Sequence, residues 1–513
     1  MKDSKVVNSS AQIKWGAIIS YVVIAFNILS GLLYTPWLVN KIGQSSYGIY
    51  TLASTLIAFF TMDFGISDAI ARFLCKYNAE GDKEKENDFL GISMKIYAVI
   101  DIIIFAVFVI AFIFADKIYT QLSIDELIKF RVIFAISGFY SLLSFPFMPL
   151  NGILVAHERF VFYRATELFN KVMTIATMIF VLLLDGGLYG LVIVNAVVGL
   201  LTIVLKVFYI KRNRLVHINL KAKNKNMLKS ILSFSIWSCM LVIAQRFIFN
   251  IEPTILGALS GTAQIAIFSV ASTIEGYTAT LAGALDALFL PKVTRVCEGM
   301  EEQGDIQSLL VRVGRIQLMI VGILLMGLVM MGKEFMLLWM GLDYIDSYYV
   351  LILMIAVSLV ILTQSIADTA LIATDRIHLK AICALIAAII NVILSIVFVP
   401  KYGAIGAGIG IFAGSFIGNL VVKNIIYVKC LTIRLRDFFY ECFVKLAPPL
   451  VIISIIMGIM QKYIVANNLL VFMVKVIIVC LIYVVVLWTG FMNIYEKQMV
   501  TNIIKSIKEK VKR

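Results

Sequence analysis

Several charged residues stand inside apolar stretches: Asp63, Arg72, Lys95, Asp101, Arg246, Glu275, Asp286 and Asp368. A charge at the centre of a bilayer costs about 2.5–3.5 kcal/mol even on the lenient insertion scale, so each marks a candidate pathway or ion site. Arg72, Arg246 and Lys95 are the basic candidates, suited to an anionic substrate. A guanidinium forks onto phosphate oxygens bidentately, which fits Arg72 and Arg246 to a diphosphate best. Asp68 and Arg72 stand i, i+4, so a self-contained ion pair at the membrane surface is the competing role. Snorkelling to the nearest interface competes for Arg246 and Lys95, and is the expected state of Lys423 and Lys475. Asp63 and Glu275 fall near the middle of apolar stretches with no cation beside them in sequence, which suits coupling to H+ or Na+. Asp286, Asp368 and Asp101 are weaker forms of the same idea. A hydrogen-bonded carboxyl serving helix packing is the alternative for all five.

These residues need membrane helices to position them, and composition supplies them. Of 513 residues 61% are hydrophobic and 15% charged, with mean hydropathy +0.96. An ordinary soluble domain has about 45–50% and about 25%. The difference excludes a soluble globular protein, a disordered chain and a nucleic-acid binder. At about 20 apolar residues per crossing, the chain holds around fourteen transmembrane helices. They are expected near 15–39, 50–73, 89–115, 131–155, 167–186, 188–210, 229–250, 262–290, 314–338, 348–372, 379–399, 403–428, 446–465 and 468–492. Even-numbered connections and both ends carry most of the Lys and Arg; 211–228 alone holds Lys211, Arg212, Arg214, Lys221, Lys223 and Lys225. The positive-inside rule then places both termini in the cytoplasm, and the net charge of +14 reflects topology.

The first half recurs in the second at a nearly constant offset. YGIYTLAST (47–55) matches IAIFSVAST (265–273), and Gly65, Asp68 and Ala69 match Gly283, Asp286 and Ala287. AEGD (79–82) faces EQGD (302–305), and ILVAHER (153–159) faces LIATDR (371–376), each followed by a GxxG at 187–190 and 403–406. An even number of spans per repeat relates the halves by an axis along the membrane normal, the parallel-repeat plan of transporters with two rocking bundles. The expected fold is therefore an all-α membrane protein of two six-helix repeats plus a C-terminal two-helix extension. Its divisions are an N-terminal bundle (1–210), a basic linker (211–228), a second bundle (229–430), accessory helices (431–492) and a basic tail (493–513). In that tail Met499, Val500, Ile503, Ile504, Ile507 and Val511 share one helical face, which suits the inner membrane surface; a solvated tail is the alternative.

Outward connections are short, which disfavours a glycan polymerase or ligase, and no P-loop, GxSxG or HExxH stands in the longer cytoplasmic connections. The chain reads as no enzyme, with no cofactor and no leader peptide. The scattered cysteines form no CxxC pair, and His157, His217 and His378 fall in polar connections as expected solvated residues. Pro146 and Pro149, and Gly406, Gly408, Gly410 and Gly414, can provide kinks and close packing.

GQSSYGIY (43–50), DFGISDAIARF (63–73), GILVAHERF (152–160) and NVILSIVFVPKYGAIGAGIG (391–410) together resemble the polysaccharide transporter family. These are Wzx-type flippases of the multidrug/oligosaccharidyl-lipid/polysaccharide exporter superfamily, and the resemblance extends over roughly residues 10–490. It implies translocation of an undecaprenyl-diphosphate-linked oligosaccharide, an O-antigen, capsule or exopolysaccharide unit, across the cell (inner) membrane by alternating access. It also implies a drive from membrane potential or an ion gradient, contact with membrane lipids and association with glycan polymerase machinery. Arg72 stands where the family pattern carries its arginine. A cation-coupled multidrug or metabolite antiporter of the same superfamily is the alternative.

Overall fold

A computed structural model describes residues 9–297, 305–374 and 376–511, and the side chains of Asp68 and Asp286 lie outside that description. The helices in chain order are α1 Ser9–Ile42, α2 Gln44–Phe60, α3 Ile66–Glu80, α4 Lys83–Ile113, α5 Ala115–Ile118, α6 Ile124–Ser144, α7 Pro149–Ala156, α8 Phe160–Leu183 and α9 Gly187–Arg212. They continue with α10 Lys225–Phe249, α11 Glu252–Leu259, α12 Thr262–Cys297, α13 Ile306–Trp339, α14 Asp346–Thr363, α15 Ser365–Ala373 and α16 Ile377–Tyr402. The chain ends with α17 Ala404–Gly414, α18 Lys423–Leu431, α19 Leu435–Phe439, α20 Lys445–Tyr463, α21 Leu469–Val486 and α22 Ile494–Val511. Among the described residues there is no strand.

Among the described residues, twelve helical stretches are long and apolar enough to cross a membrane, thirteen if the bent pair Ser235–Phe249 and Glu252–Leu259 is one span. The span expected at 50–73 is not among them, because it is interrupted. α2 ends at Phe60 and α3 starts at Ile66, with Phe64 (φ 50°) and Gly65 (φ 70°) left-handed between them. Gly65 is required there twice over: its φ is one L side chains resist, and a Cβ would lie 2.5 Å from Ser238 Cβ of α10. The span expected at 131–155 breaks too, at a 3-10 turn over Phe145–Phe147 that holds Pro146. Outward-facing apolar side chains mark the lipid belt; on α4, Ile102 is 70% exposed and Ile103 57%.

Contacts gather the chain into two compact units, Met1–Ser269 with Ala384–Gly410, and Val270–Cys383 with Ile411–Arg513. In the first, α1 packs on α8, α8 on α9, α2 on α6 and α3 on α7. Its core includes the stacked rings of Phe130 and Phe134, with Phe108 and Phe60 against Phe134. The start of α6 is fixed by a reciprocal capping box between Ser123 and Glu126. Glu126 Oε1 also accepts from Ser45 (2.5 Å) and Thr262 (2.6 Å), tying three helix starts together.

In the second unit α13 is the central helix, packed by α14, α15, α20 and α21. Two buried ion pairs fasten its surroundings. Lys475 of α21, 2% exposed, meets Glu334 of α13 at 2.7 Å and donates to the Ile464 carbonyl at 2.8 Å. Lys475 was expected to snorkel; the structure buries it, because a carboxylate on a facing helix supplies the charge that water would otherwise solvate. Arg315 of α13 joins Glu496 of the tail helix α22 (Nε to Oε1 2.6 Å, Nη2 to Oε2 3.2 Å) and donates to the Glu441 and Phe491 carbonyls. Beyond that clamp, Met499 and Val500 line a 350 Å³ apolar cavity with Ile316, Met319, Tyr483 and Leu487. The first turns of the tail thus pack on protein.

Candidate functional site

In the first unit the break in span 2 is built around Asp63. Its Oδ2 accepts from the Ser67 amide (3.1 Å), capping the start of α3, and its Oδ1 accepts from Ser67 Oγ (2.8 Å) and the Tyr97 hydroxyl (2.5 Å). A carboxylate at a helix N-terminus also meets the positive end of the helix dipole. Arg72 stands exposed further along α3. Lys95, two residues before Tyr97 on α4, donates to the Ala222 carbonyl of the basic connection at 2.8 Å. Arg246 of α10 donates to Asn250 Oδ1 at 3.1 Å, next to the 42° bend between α10 and α11.

That bend exposes a residue that span prediction missed. Glu252, the first residue of α11, is 0% exposed. Its Oε1 accepts from Asn391 Nδ2 (2.9 Å) and Ser395 Oγ (3.1 Å) of α16, while Oε2 is buried without a hydrogen-bond partner among the described residues. α17 closes over this site because Gly410 has no side chain: a Cβ there would lie 2.1 Å from Ser395 Oγ. A buried carboxyl with hydroxyl and amide donors and no counter-charge is a place for a proton or a small cation.

The second unit holds a contrasting pair. Glu275 of α12 is half-buried, and among the described residues no hydrogen bond or ion pair reaches it. Asp368 of α15 is saturated: Lys423 lies at 3.2 Å, Lys380 at 3.4 Å and the Tyr427 hydroxyl at 2.6 Å. Lys423, expected to snorkel, is buried in this cluster. A π-helical stretch over Ser415–Val422 widens the helix just before it. Lys423, Asn424 and Tyr427 follow that stretch and bond into the 364–368 segment, Asn424 Oδ1 accepting from Gln364 Nε2 at 2.9 Å. Asp286 lies outside the described side chains. Among the described residues no group of three or more His, Cys, Asp or Glu could hold a metal ion.

His157 is not the solvated loop residue its sequence context suggests. Its Nε2 lies 3.1 Å from Oε1 of Glu86, a residue 4% exposed in the first turn of α4, and its Nδ1 lies 2.9 Å from the Ile153 carbonyl. Both ring nitrogens face acceptors, so only the imidazolium satisfies both. Burial opposes that charge, but the Glu86 carboxylate 3.1 Å away and the Ile153 carbonyl outweigh it and raise the pKa above the ordinary value.

A family model described as polysaccharide biosynthesis protein matches residues 13–282, more than half of the chain. The chain belongs to that family. This polysaccharide biosynthesis protein matches no curated protein in sequence. Its fold is similar to a solved lipid II flippase, MurJ, in an inward closed conformation: TM-score 0.73 at 16% identity, over 94% of this chain and 99% of the other. It is also similar to an inward-facing multidrug resistance MATE family transporter, with TM-score 0.64 at 14% identity, over 81% of this chain and 99% of the other. The chain therefore shares its fold with a solved lipid flippase and a solved multidrug transporter.

Proposed function

We propose that this protein is a flippase that carries an undecaprenyl-diphosphate-linked oligosaccharide from the cytoplasmic to the outer leaflet of the cell membrane, with both termini cytoplasmic. The observation that carries the proposal is the extent of the fold likeness. The lipid flippase matches 94% of this chain, whereas the multidrug transporter, itself used almost whole, leaves nearly a fifth of it unmatched. Membership in a polysaccharide biosynthesis family supports a glycan-bearing substrate. Transport then runs by alternating access, with Arg72 and Arg246 serving the diphosphate.

The physics supports outward movement. The membrane potential is worth about 2.3 kcal/mol per charge per 100 mV, so a diphosphate with about two negative charges gains about 4–5 kcal/mol on leaving a negative interior. Ion binding is then needed chiefly to reset the carrier, and Glu252 and Glu275 are two carboxyls with no basic partner among the described residues that can do it. Asp368, already held by two lysines, serves the fold instead.

The test is flipping of a fluorescent undecaprenyl-diphosphate oligosaccharide in vesicles, with potential and proton gradient imposed separately. Flipping should accelerate with the potential. Glu252→Gln, which preserves shape and hydrogen bonds, should reduce the response to the proton gradient by about fivefold or more, the span of ordinary coupling energies. Indifference to the potential would contradict the energetic account. Uptake of a soluble cation with no lipid flipping would favour the antiporter.

A further inference from the structure

α3 and α7 are short helices, each set off by backbone breaks at both ends. α3 lies between Phe64–Gly65 and Gly81 (φ 71°), and α7 between the Phe145–Phe147 turn and the loop at Glu158 (φ 55°). They pack tightly on each other. A Cβ on Gly152 of α7 would lie 3.1 Å from the Ser67 carbonyl and 3.0 Å from Ile70 Cγ2 of α3, and Cys75 Sγ of α3 lies 4.0 Å from the Ala156 carbonyl.

The polar ties from this pair to α4 stand at its two ends. At one, Tyr97 of α4 donates to Asp63 and packs its ring, tilted by 55°, against Phe145, so it touches both upstream breaks at once. At the other, Glu86 of α4 pairs with His157. Glu86 and Tyr97 are about 16 Å apart along α4 at about 1.5 Å per residue. We infer that α3 and α7 move as one body, and that Tyr97 and Glu86 are positioning residues that latch this body, and with it Arg72, against α4. Arg72's part in transport rests on the function proposed above; the latch itself rests on the geometry alone.

One latch responds to pH. The charges that act on His157 are Glu86 from α4 and Arg159 in its own loop; the neighbouring elements carry Glu158 beside Cys75 of α3, the Arg164–Glu167 pair on α8, and Lys206 of α9, which donates to Asn151 of α7. Arg159 opposes the charge on His157 and Glu86 favours it. Because the folded pKa is raised, the latch is fully made below the ordinary histidine value of about 6.5 and is lost as pH rises through the folded value.

The experiment is hydrogen–deuterium exchange on the full chain in lipid nanodiscs, without substrate, corrected for the intrinsic pH dependence of exchange. Between about pH 6 and 8, protection over 66–80 and 149–156 should fall together in the wild type. Glu86→Gln should lower protection of both segments about tenfold at the acid end, because the imidazolium then loses its carboxylate partner, and remove the pH step. His157→Arg, which keeps the charge, should stay protected throughout. Tyr97→Phe should loosen both segments and leave the step in place. Segments that exchange independently, or a pH step that survives in His157→Arg, would overturn the inference. Since no substrate is present, neither result depends on what the protein transports.

Discussion

Replacing Arg315 with Met should destabilise the protein by about 3–5 kcal/mol, the cost of leaving one partner of a buried ion pair uncompensated. The site explains the size. Glu496 is 1% exposed, and Arg315 supplies both of its carboxylate oxygens with a donor while also satisfying the Glu441 and Phe491 carbonyls. Met fills much of the volume but donates nothing. The loss would be read as a lowered unfolding midpoint in detergent. Arg315→Met combined with Glu496→Leu should regain most of it, because an apolar pair no longer strands a charge. A single variant within about 0.5 kcal/mol of wild type, the range of an ordinary surface substitution, would mean that this clamp does not hold the tail helix to the unit.

Asp368→Asn should cost a similar amount by the reverse logic. The carboxylate sits between the ammonium groups of Lys380 and Lys423 and accepts from Tyr427. A neutral amide leaves two cations facing each other in a buried space, again about 3–5 kcal/mol. Lys423→Met added to Asp368→Asn should restore stability in part, since it removes the more buried of the two cations. If Asp368→Asn instead folds as well as wild type but loses the response of flipping to an ion gradient, Asp368 belongs with the coupling residues and its assignment to the fold is wrong.

These two clusters mark where the sequence stops being informative. Apolar runs find the membrane helices because hydropathy is a local property, and most expected spans fall on observed helical stretches to within a few residues at their ends. Pairing is not local: Lys475 and Glu334, or Arg315 and Glu496, are far apart in the chain, so each lysine or arginine read alone resembles a snorkelling residue. Asp63 and Gly65 stood out in DFGIS, but as a charge and a motif rather than as a helix break. That break depends on a left-handed Phe64, which no residue preference announces, and on Ser238 packed against Gly65. Glu252 was missed for a simpler reason. The predicted span ended at 250, so the residue fell into a connection. Pro253 directly after it was the available signal, since proline is favoured at the start of a helix and α11 begins there.

The central claim is that this chain flips a lipid-linked diphosphate and that Arg72 meets its head group. The most direct measurement compares wild type with Arg72→Ala in vesicles carrying a fluorescent undecaprenyl-diphosphate oligosaccharide, scoring the label that becomes accessible on the opposite face. The account predicts protein-dependent flipping, reduced at least about tenfold by Arg72→Ala, the value of a hydrogen bond to a charged group. Flipping that survives the substitution unchanged would remove Arg72 from the pathway. Correctly folded wild-type protein that moves no lipid at all would contradict the claim itself.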